Sequence, residues 1–176
     1  PLDALPDDAM VGTVGSIGAP VIGIAMPPEG RETYRAMRAV EEACGVKMAG
    51  LIAAEIGGAN AMSPMIAAVD AGLPVIDGDG MGRAFPEMQM TTYSIYGHKS
   101  TPSSMSDPHG NVVIFQNAIS ELWHERMARA TMISRVLFDL RKGLKKRQKT
   151  IRELKKQALR ELERHVDKVQ YLEVVD

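Results

Sequence analysis

From Glu55 to Glu87 four carboxylates stand at glycine-bounded positions, Glu55, Asp77, Asp79 and Glu87, and a guanidinium, Arg83, lies between the last two. A carboxylate at a strand end can take a proton from water, hold a divalent cation, or accept the N–H groups of a polar ring. Arg83 is suited to stabilising charge that develops during a reaction. Its structural alternative is a pair with Asp79 or Glu87 that merely pins a turn. Zinc ordinarily recruits His or Cys, which the stretch from Gly50 to Glu87 lacks, so a zinc site wholly inside it is not expected. Magnesium on one or two of the carboxylates fits the ligand types, and the residues leave the metal question open.

Gly57, Gly58, Ala59 and Asn60 precede a helix, an arrangement that can aim backbone N–H groups at an anion or a carbonyl oxygen. Asn60 could orient a lactam-like ring through its amide or simply stabilise the turn. The spacing is neither that of a phosphate-binding loop nor that of a dinucleotide fingerprint, so no ATP or NAD site is expected. His98 and His109, with Lys99 and Asp107 beside them, lie in a polar stretch from which a proton carrier could reach the acids, although a surface position explains them equally. His124, next to Trp123, reads as packed or solvated, and the single Cys44 as a small residue near a helix end, with no internal disulfide. The methionines Met81, Met88 and Met90 near the acids are read as core fillers, with an apolar pocket for a thioether as the sharper alternative.

The elements that must position these groups follow from apolar runs and breakers. Short strands are predicted at Val11–Val14, Pro20–Ala25, Val46–Glu55 and Leu73–Asp77. Arg31–Cys44 reads as a helix stopped by Gly45, with Tyr34, Met37, Val40 and Cys44 on its dry stripe and Glu41 among its wet positions. Ser63 followed by Pro64 predicts a helix start, and Gly72 a stop, giving a short helix over Met65–Ala71. Apolar strands alternating with helices predict an α/β fold whose sheet is mainly parallel, with helices on both faces. Right-handed crossovers would then bring Glu55 and Asp77 to the same sheet edge. Beyond them, Met90–Tyr96 alternates as a strand would, residues 97–110 read as a loop, and Asn111–Gln116 as a strand. Helix is predicted from Asn117 to about Leu140, a charged helix over Gln148–His165, and a short strand or extended tail over Val169–Val175.

Charge divides the chain. Residues 1–140 carry 9 Lys/Arg against 16 Asp/Glu, and residues 141–176 carry 12 against 6, so a net charge of −1 conceals an acidic body and a basic end. The expected division is an α/β domain over 1–130 and a basic amphipathic helical extension over 131–176. That extension has an apolar stripe at Ile151, Leu154, Ala158 and Leu162 but no interleaved aromatics, which favours packing over nucleic-acid binding. No apolar run is long enough to span a membrane, and Asp3, Asp7 and Asp8 do not make a signal peptide, so a cytoplasmic protein is expected. A start at Pro1 rather than methionine predicts a fragment or trimmed chain.

Two linked runs carry a resemblance. Glu55-Ile-Gly-Gly-Ala-Asn60 and Gly72-Leu-Pro-Val-Ile-Asp77-Gly-Asp79-Gly-Met-Gly-Arg83-Ala-Phe-Pro-Glu87-Met-Gln-Met90 resemble the S-methyl-thiohydantoin desulfurase family. The likeness extends from Leu5–Asp8 and Gly15–Pro20 to Asp107–Asn111 and Trp123–Ala130, about three-quarters of the chain. It implies a hydrolase-like enzyme that cleaves the carbon–sulfur bond of an S-methylated thiohydantoin or acts on a related hydantoin ring. Family members keep company with hydantoinases and are longer than this chain, so it would be their middle portion, truncated or fused to a different ending. The matching polar positions, Glu55, Asn60, Asp77, Asp79, Arg83 and Glu87, become the site candidates. Displacing a thiolate by water requires a base, for which Asp77 or Asp79 is preferred. It also requires stabilisation of the tetrahedral intermediate by Arg83 or by the Gly57 and Gly58 N–H groups. A homo-oligomer or a hydantoinase-type partner is the compatible assembly, and a non-catalytic, partner-binding subunit is the alternative function.

Overall fold

The computed structural model describes residues 5–18, 28–84 and 87–131, together with 153, 156 and 160. The strand expected over Pro20–Ala25 and the basic extension lie outside the described residues, apart from Thr131 and the three single positions.

Three parallel strands form the main sheet: β1 (Val11–Val14), β2 (Gly50–Ala53) and β3 (Val75–Asp79), in the order β1-β2-β3. Helix α1 (Glu32–Cys44) connects the first two and α2 (Gly58–Ala71) the second pair. Sequential strand order with crossovers of one hand places successive helices on one face, and α1 and α2 do touch each other. The helices therefore share a face instead of dividing between two, as the apolar strands had suggested. Leu51, fully buried, meets Val14, Met37, Ala67 and Ala68 on that side. At Gly50 the opposite face is approached by Leu5 and Ile76.

Helix α1 ends as its sequence predicts: Gly45 takes the left-handed conformation and donates its N–H to the Glu41 carbonyl. Glu41 itself departs from expectation. Only 4% exposed, its carboxylate accepts the Met48 N–H at 2.8 Å and ion pairs from Arg38 and Lys47. Periodicity registers charge, not the neighbours that neutralise it, so a buried and fully paired acid reads as a wet one. Burial works to raise the Glu41 carboxyl, but the Met48 N–H, Lys47 and Arg38 outweigh it and hold the group below the ordinary carboxylate range.

Helix α2 starts at Gly58, five residues ahead of Ser63, and carries Pro64 inside it. The proline deprives the Asn60 carbonyl of its helical donor without ending the helix, and Gly72 closes it in the left-handed conformation. Asn60 thus sits in the first turn of a helix and not in a loop.

A two-stranded antiparallel hairpin, β4 (Ser103–Ser106) and β5 (Val112–Phe115), packs against α1. Arg35 fastens it by donating to Ser106 Oγ at 3.2 Å and to the Asp107 carbonyl at 3.0 Å. The hairpin was hidden because β4 reads Ser-Ser-Met-Ser, with no apolar alternation to mark it. The run Asp107-Pro-His-Gly-Asn111 is its turn: Asp107 Oδ1 accepts the N–H groups of His109 and Asn111, each at 2.9 Å. Met90–Tyr96 is not a strand. A 3-10 turn at Met88–Met90 leads into the single-turn helix α3 (Thr92–Ile95), capped by Thr91. Residues 121–131 are helical and are called α4. No helix among the described residues is long and apolar enough to cross a membrane.

Gly80, just past β3, has no room for a side chain. A Cβ there would stand 2.7 Å from the Ala54 carbonyl oxygen and 2.5 Å from the Tyr93 ring. Because one obstacle is backbone, Gly80→Ala is expected to cost about 1–3 kcal/mol, read as a lowered urea midpoint with an unchanged m-value.

Candidate functional site

The carboxyl ends of parallel strands and the loops that leave them form the natural place for a site in such a sheet. In β1 that end is Gly15-Ser16, in β2 it is Ala54–Gly58, and in β3 it is Gly80–Ala84. The register decides which acids arrive together. Leu51 pairs with Val75 but Ala53 pairs with Asp79, so β3 carries two extra residues against Ile52. Asp77 lies in that bulge, exposed within the strand, and Asp79 takes the place at the strand end that the sequence had assigned to Asp77.

Glu55 leaves the end of β2 half-buried, and Asn60 holds it by donating from Nδ2 to Glu55 Oε1. The other half of the same amide accepts the Ser16 N–H at 2.9 Å, which also fixes which amide atom is oxygen. Asn60 therefore ties the loop after β1 to the acid after β2. Ser16 Oγ lies 3.3 Å from Ser63 Oγ on the same helix. Ser16 did not stand out in the sequence and Ser63 did so only as a helix start, since a single hydroxyl has no site signature apart from its partner.

Asp79 uses Oδ1 to accept the N–H groups of Met81 and Gly82, at 2.7 and 2.5 Å. This is the turn-forming role available to an Asp two residues ahead of a loop, and it leaves Oδ2 as the oxygen with which Asp79 can meet a substrate. The loop it shapes carries Arg83, which is exposed, and brings Ala84 against Gly57, where a Cβ would stand 3.0 Å from that of Ala84. Gly57 thus lies against the arginine-bearing loop. Tyr93 is a further member that sequence reasoning missed. It packs over Gly80, and burial, reinforced by the negative charge of Asp79, pushes its phenol up, keeping it a proton donor at neutral pH.

Glu87 stands apart from this group. It accepts from the Gln89 side chain, and the neighbouring Met88 N–H donates to Glu125 of α4 at 3.0 Å. Among the described residues no cluster of three or more His, Cys, Asp or Glu has the geometry to hold a metal ion. A groove of about 660 Å³, lined by Tyr34, Arg35, Arg38, Val112 and Ile114, belongs to α1 and β5.

His124 is packed, not solvated: 2% exposed, with the Phe115 ring edge-on to it and the two ring centroids 5.3 Å apart. Ser100 Oγ lies 2.5 Å from Nδ1 and Ser103 Oγ 2.8 Å from Nε2.

The fold and the strand ends define an α/β domain whose polar groups gather at the carboxyl edge of a parallel sheet. Residues 1–117 match the S-Me-THD-like N-terminal domain, and the chain belongs to that family. A crystal structure of a protein from Chromobacterium violaceum, a structural-genomics target, is similar to it, with a TM-score of 0.62 and 26% identity over 71% of this chain. The match spans 36% of that longer protein. Comparison with curated proteins returned no match.

Burial pushes the His124 imidazole down from its ordinary value of 6.5, although the Glu121 and Glu125 charges oppose this. The unfolded chain therefore binds a proton more readily than the folded one. Stability from this residue is full above pH 6.5 and is lost as the pH falls below 6.5 through the lower value of the folded protein. The Glu41 and Asp107 carboxyls, both held low, begin to matter only below 4.5 and 3.8. The urea midpoint is expected to fall between pH 6.5 and 4.5, and His124→Asn to flatten that slope.

Proposed function

We propose that this domain takes part in hydrolysis of the carbon–sulfur bond of a small S-methyl-thiohydantoin or a related cyclic ureide. The observation that carries the reading is the Ser16–Asn60–Glu55 bridge beside the Asp79 turn, at one edge of the sheet of an S-Me-THD-like domain. Family membership supports the substrate class, and the placement of the residues suggests their roles.

In this reading Asp79 Oδ2 is the base and takes a proton from water as its oxygen bonds to the amidine-like ring carbon. Arg83, with the Gly57 and Gly58 N–H groups, stabilises the negative charge of the tetrahedral intermediate. The carbon–sulfur bond then breaks as the proton held by Asp79 passes to sulfur and the hydroxyl proton of the intermediate passes to the ring nitrogen, so that water is consumed and a hydantoin carbonyl and methanethiol are formed. The Glu55 carboxylate, steadied by Asn60, accepts a ring N–H. Asp77 is too early in β3 to be the preferred base, and Glu87 supports the loop through Gln89. Tyr93, kept protonated, donates toward the reacting centre beside Asp79.

Incubating the folded protein with an S-methyl-thiohydantoin and assaying methanethiol tests this directly. Asp79→Asn and Arg83→Ala are each expected to lower release by about 100-fold or more. Absence of release from well-folded protein would refute hydrolysis by this chain and favour a non-catalytic subunit of a hydantoinase-type assembly, in keeping with the 36% of its longer neighbour that it spans. Asn60→Ala, which unlinks Ser16 from Glu55, is expected to cost about 1 kcal/mol of stability and to weaken substrate binding more than turnover. A steady-state separation of KM from kcat reads that difference.

A further inference from the structure

Away from the strand ends, four side chains form a continuous hydrogen-bonded line. Glu121 accepts from Ser100 Oγ, and its carboxylate oxygens also receive the Ser100 N–H, each at 3.2 Å. Ser100 Oγ in turn lies 2.5 Å from His124 Nδ1, and His124 Nε2 lies 2.8 Å from Ser103 Oγ. The proton positions follow from chemistry. An ionised carboxylate only accepts, so the single Ser100 hydroxyl proton points at Glu121, and Ser100 Oγ must accept from the ring. Nδ1 therefore carries the imidazole proton, and the Nε2 lone pair faces the Ser103 hydroxyl. Carboxylate, orienting group, imidazole and hydroxyl then stand in the order that activates a serine, with Ser100 inserted between acid and base.

The surroundings suit that role. His124 is buried against Phe115, the register partner of Ser103, so the ring is held in one orientation, whereas Ser103 and Ser100 are only half-buried. A network needed only to satisfy a buried imidazole would require no carboxylate behind Ser100. Glu121 is partly exposed and could equally be solvated.

We propose that Ser103 is a nucleophile activated by His124, with Ser100 and Glu121 as positioning residues, and that it accepts an acyl group from an ester or thioester. Ser103 Oγ bonds to the acyl carbon as its proton passes to His124 Nε2. The bond to the leaving oxygen or sulfur breaks, and that atom departs with the proton from His124. Water repeats the sequence to release the acid.

Diisopropyl fluorophosphate tests the assignment without any thiohydantoin, so the result is independent of the function proposed above. Ser103 Oγ would bond to phosphorus, the phosphorus–fluorine bond would break, and the hydroxyl proton would go to His124 as fluoride leaves. Intact mass and peptide mapping are expected to show one adduct, at Ser103, that is absent in Ser103→Ala. Ser100→Ala and Glu121→Gln, which leave the buried histidine in place, are expected to slow labelling by about 100-fold, and Ser100→Thr to restore it. The wild-type rate should rise with pH through one inflection below 6.5, where Nε2 regains its lone pair. No adduct on folded protein, or labelling of Ser103 at the wild-type rate in Ser100→Ala, would overturn the proposal.

Discussion

A ladder of backbone hydrogen bonds across the strand ends sets the geometry of everything nearby. The Ala54 N–H donates to the Val14 carbonyl at 2.8 Å, and the Gly80 N–H donates to the Ala54 carbonyl at 3.1 Å. The Gly80 carbonyl then accepts both the N–H and the hydroxyl of Thr92, at 2.7 and 2.8 Å. One peptide after another, β1 is joined to β2, β2 to β3, and β3 to α3. Each bond contributes only about 1 kcal/mol net, but together they leave the loops carrying Glu55, Asp79 and Arg83 few ways to depart. Gly80 is the tight point, because the Ala54 carbonyl and the Tyr93 ring occupy the space a side chain would need.

A second anchor works at the other end of the sheet. Glu41 sits in the last turn of α1, yet its carboxylate receives the N–H of Met48, just before β2 begins. Burying an acid is costly unless it is paired, and here Arg38, Lys47 and a backbone donor satisfy it together. The acid therefore positions the start of β2 relative to the helix. Arg35, one turn from the start of α1, does the same for the hairpin through Ser106 and Asp107. Polar groups aimed at backbone, more than surface charge pairs, register the layers.

The strand-end group and the His124 line have different origins. Ser16, Asn60, Glu55 and Asp79 belong to the loops that leave a parallel sheet, where side chains are placed by a rigid scaffold but not consumed by packing. The His124 line joins β4 to α4 through Ser103. The family match over residues 1–117 covers the strand-end group and Ser100 and Ser103, and stops short of Glu121 and His124.

Several elements of the fold and the family were legible from residue type and spacing. Gly45 and Gly72 ended their helices where glycine was needed for the left-handed cap, Val11–Val14 formed its strand, and the two linked motifs identified the family later matched by residues 1–117. These are local or cumulative signals: a cap depends on one backbone conformation, and a motif on order along the chain. The tertiary structure alone decided the rest. The bulge opposite Ile52 moved the strand end from Asp77 to Asp79, since register is a relation between two strands. Pairing with β5 turned Ser103–Ser106 into a strand that its own pattern did not announce. Burial of Glu41 and His124 depended on partners up to 24 residues away. The sequence by itself determined which groups could act and which segments would carry them; only the packing decided which groups meet, because contact between distant residues is written in no single stretch of the chain.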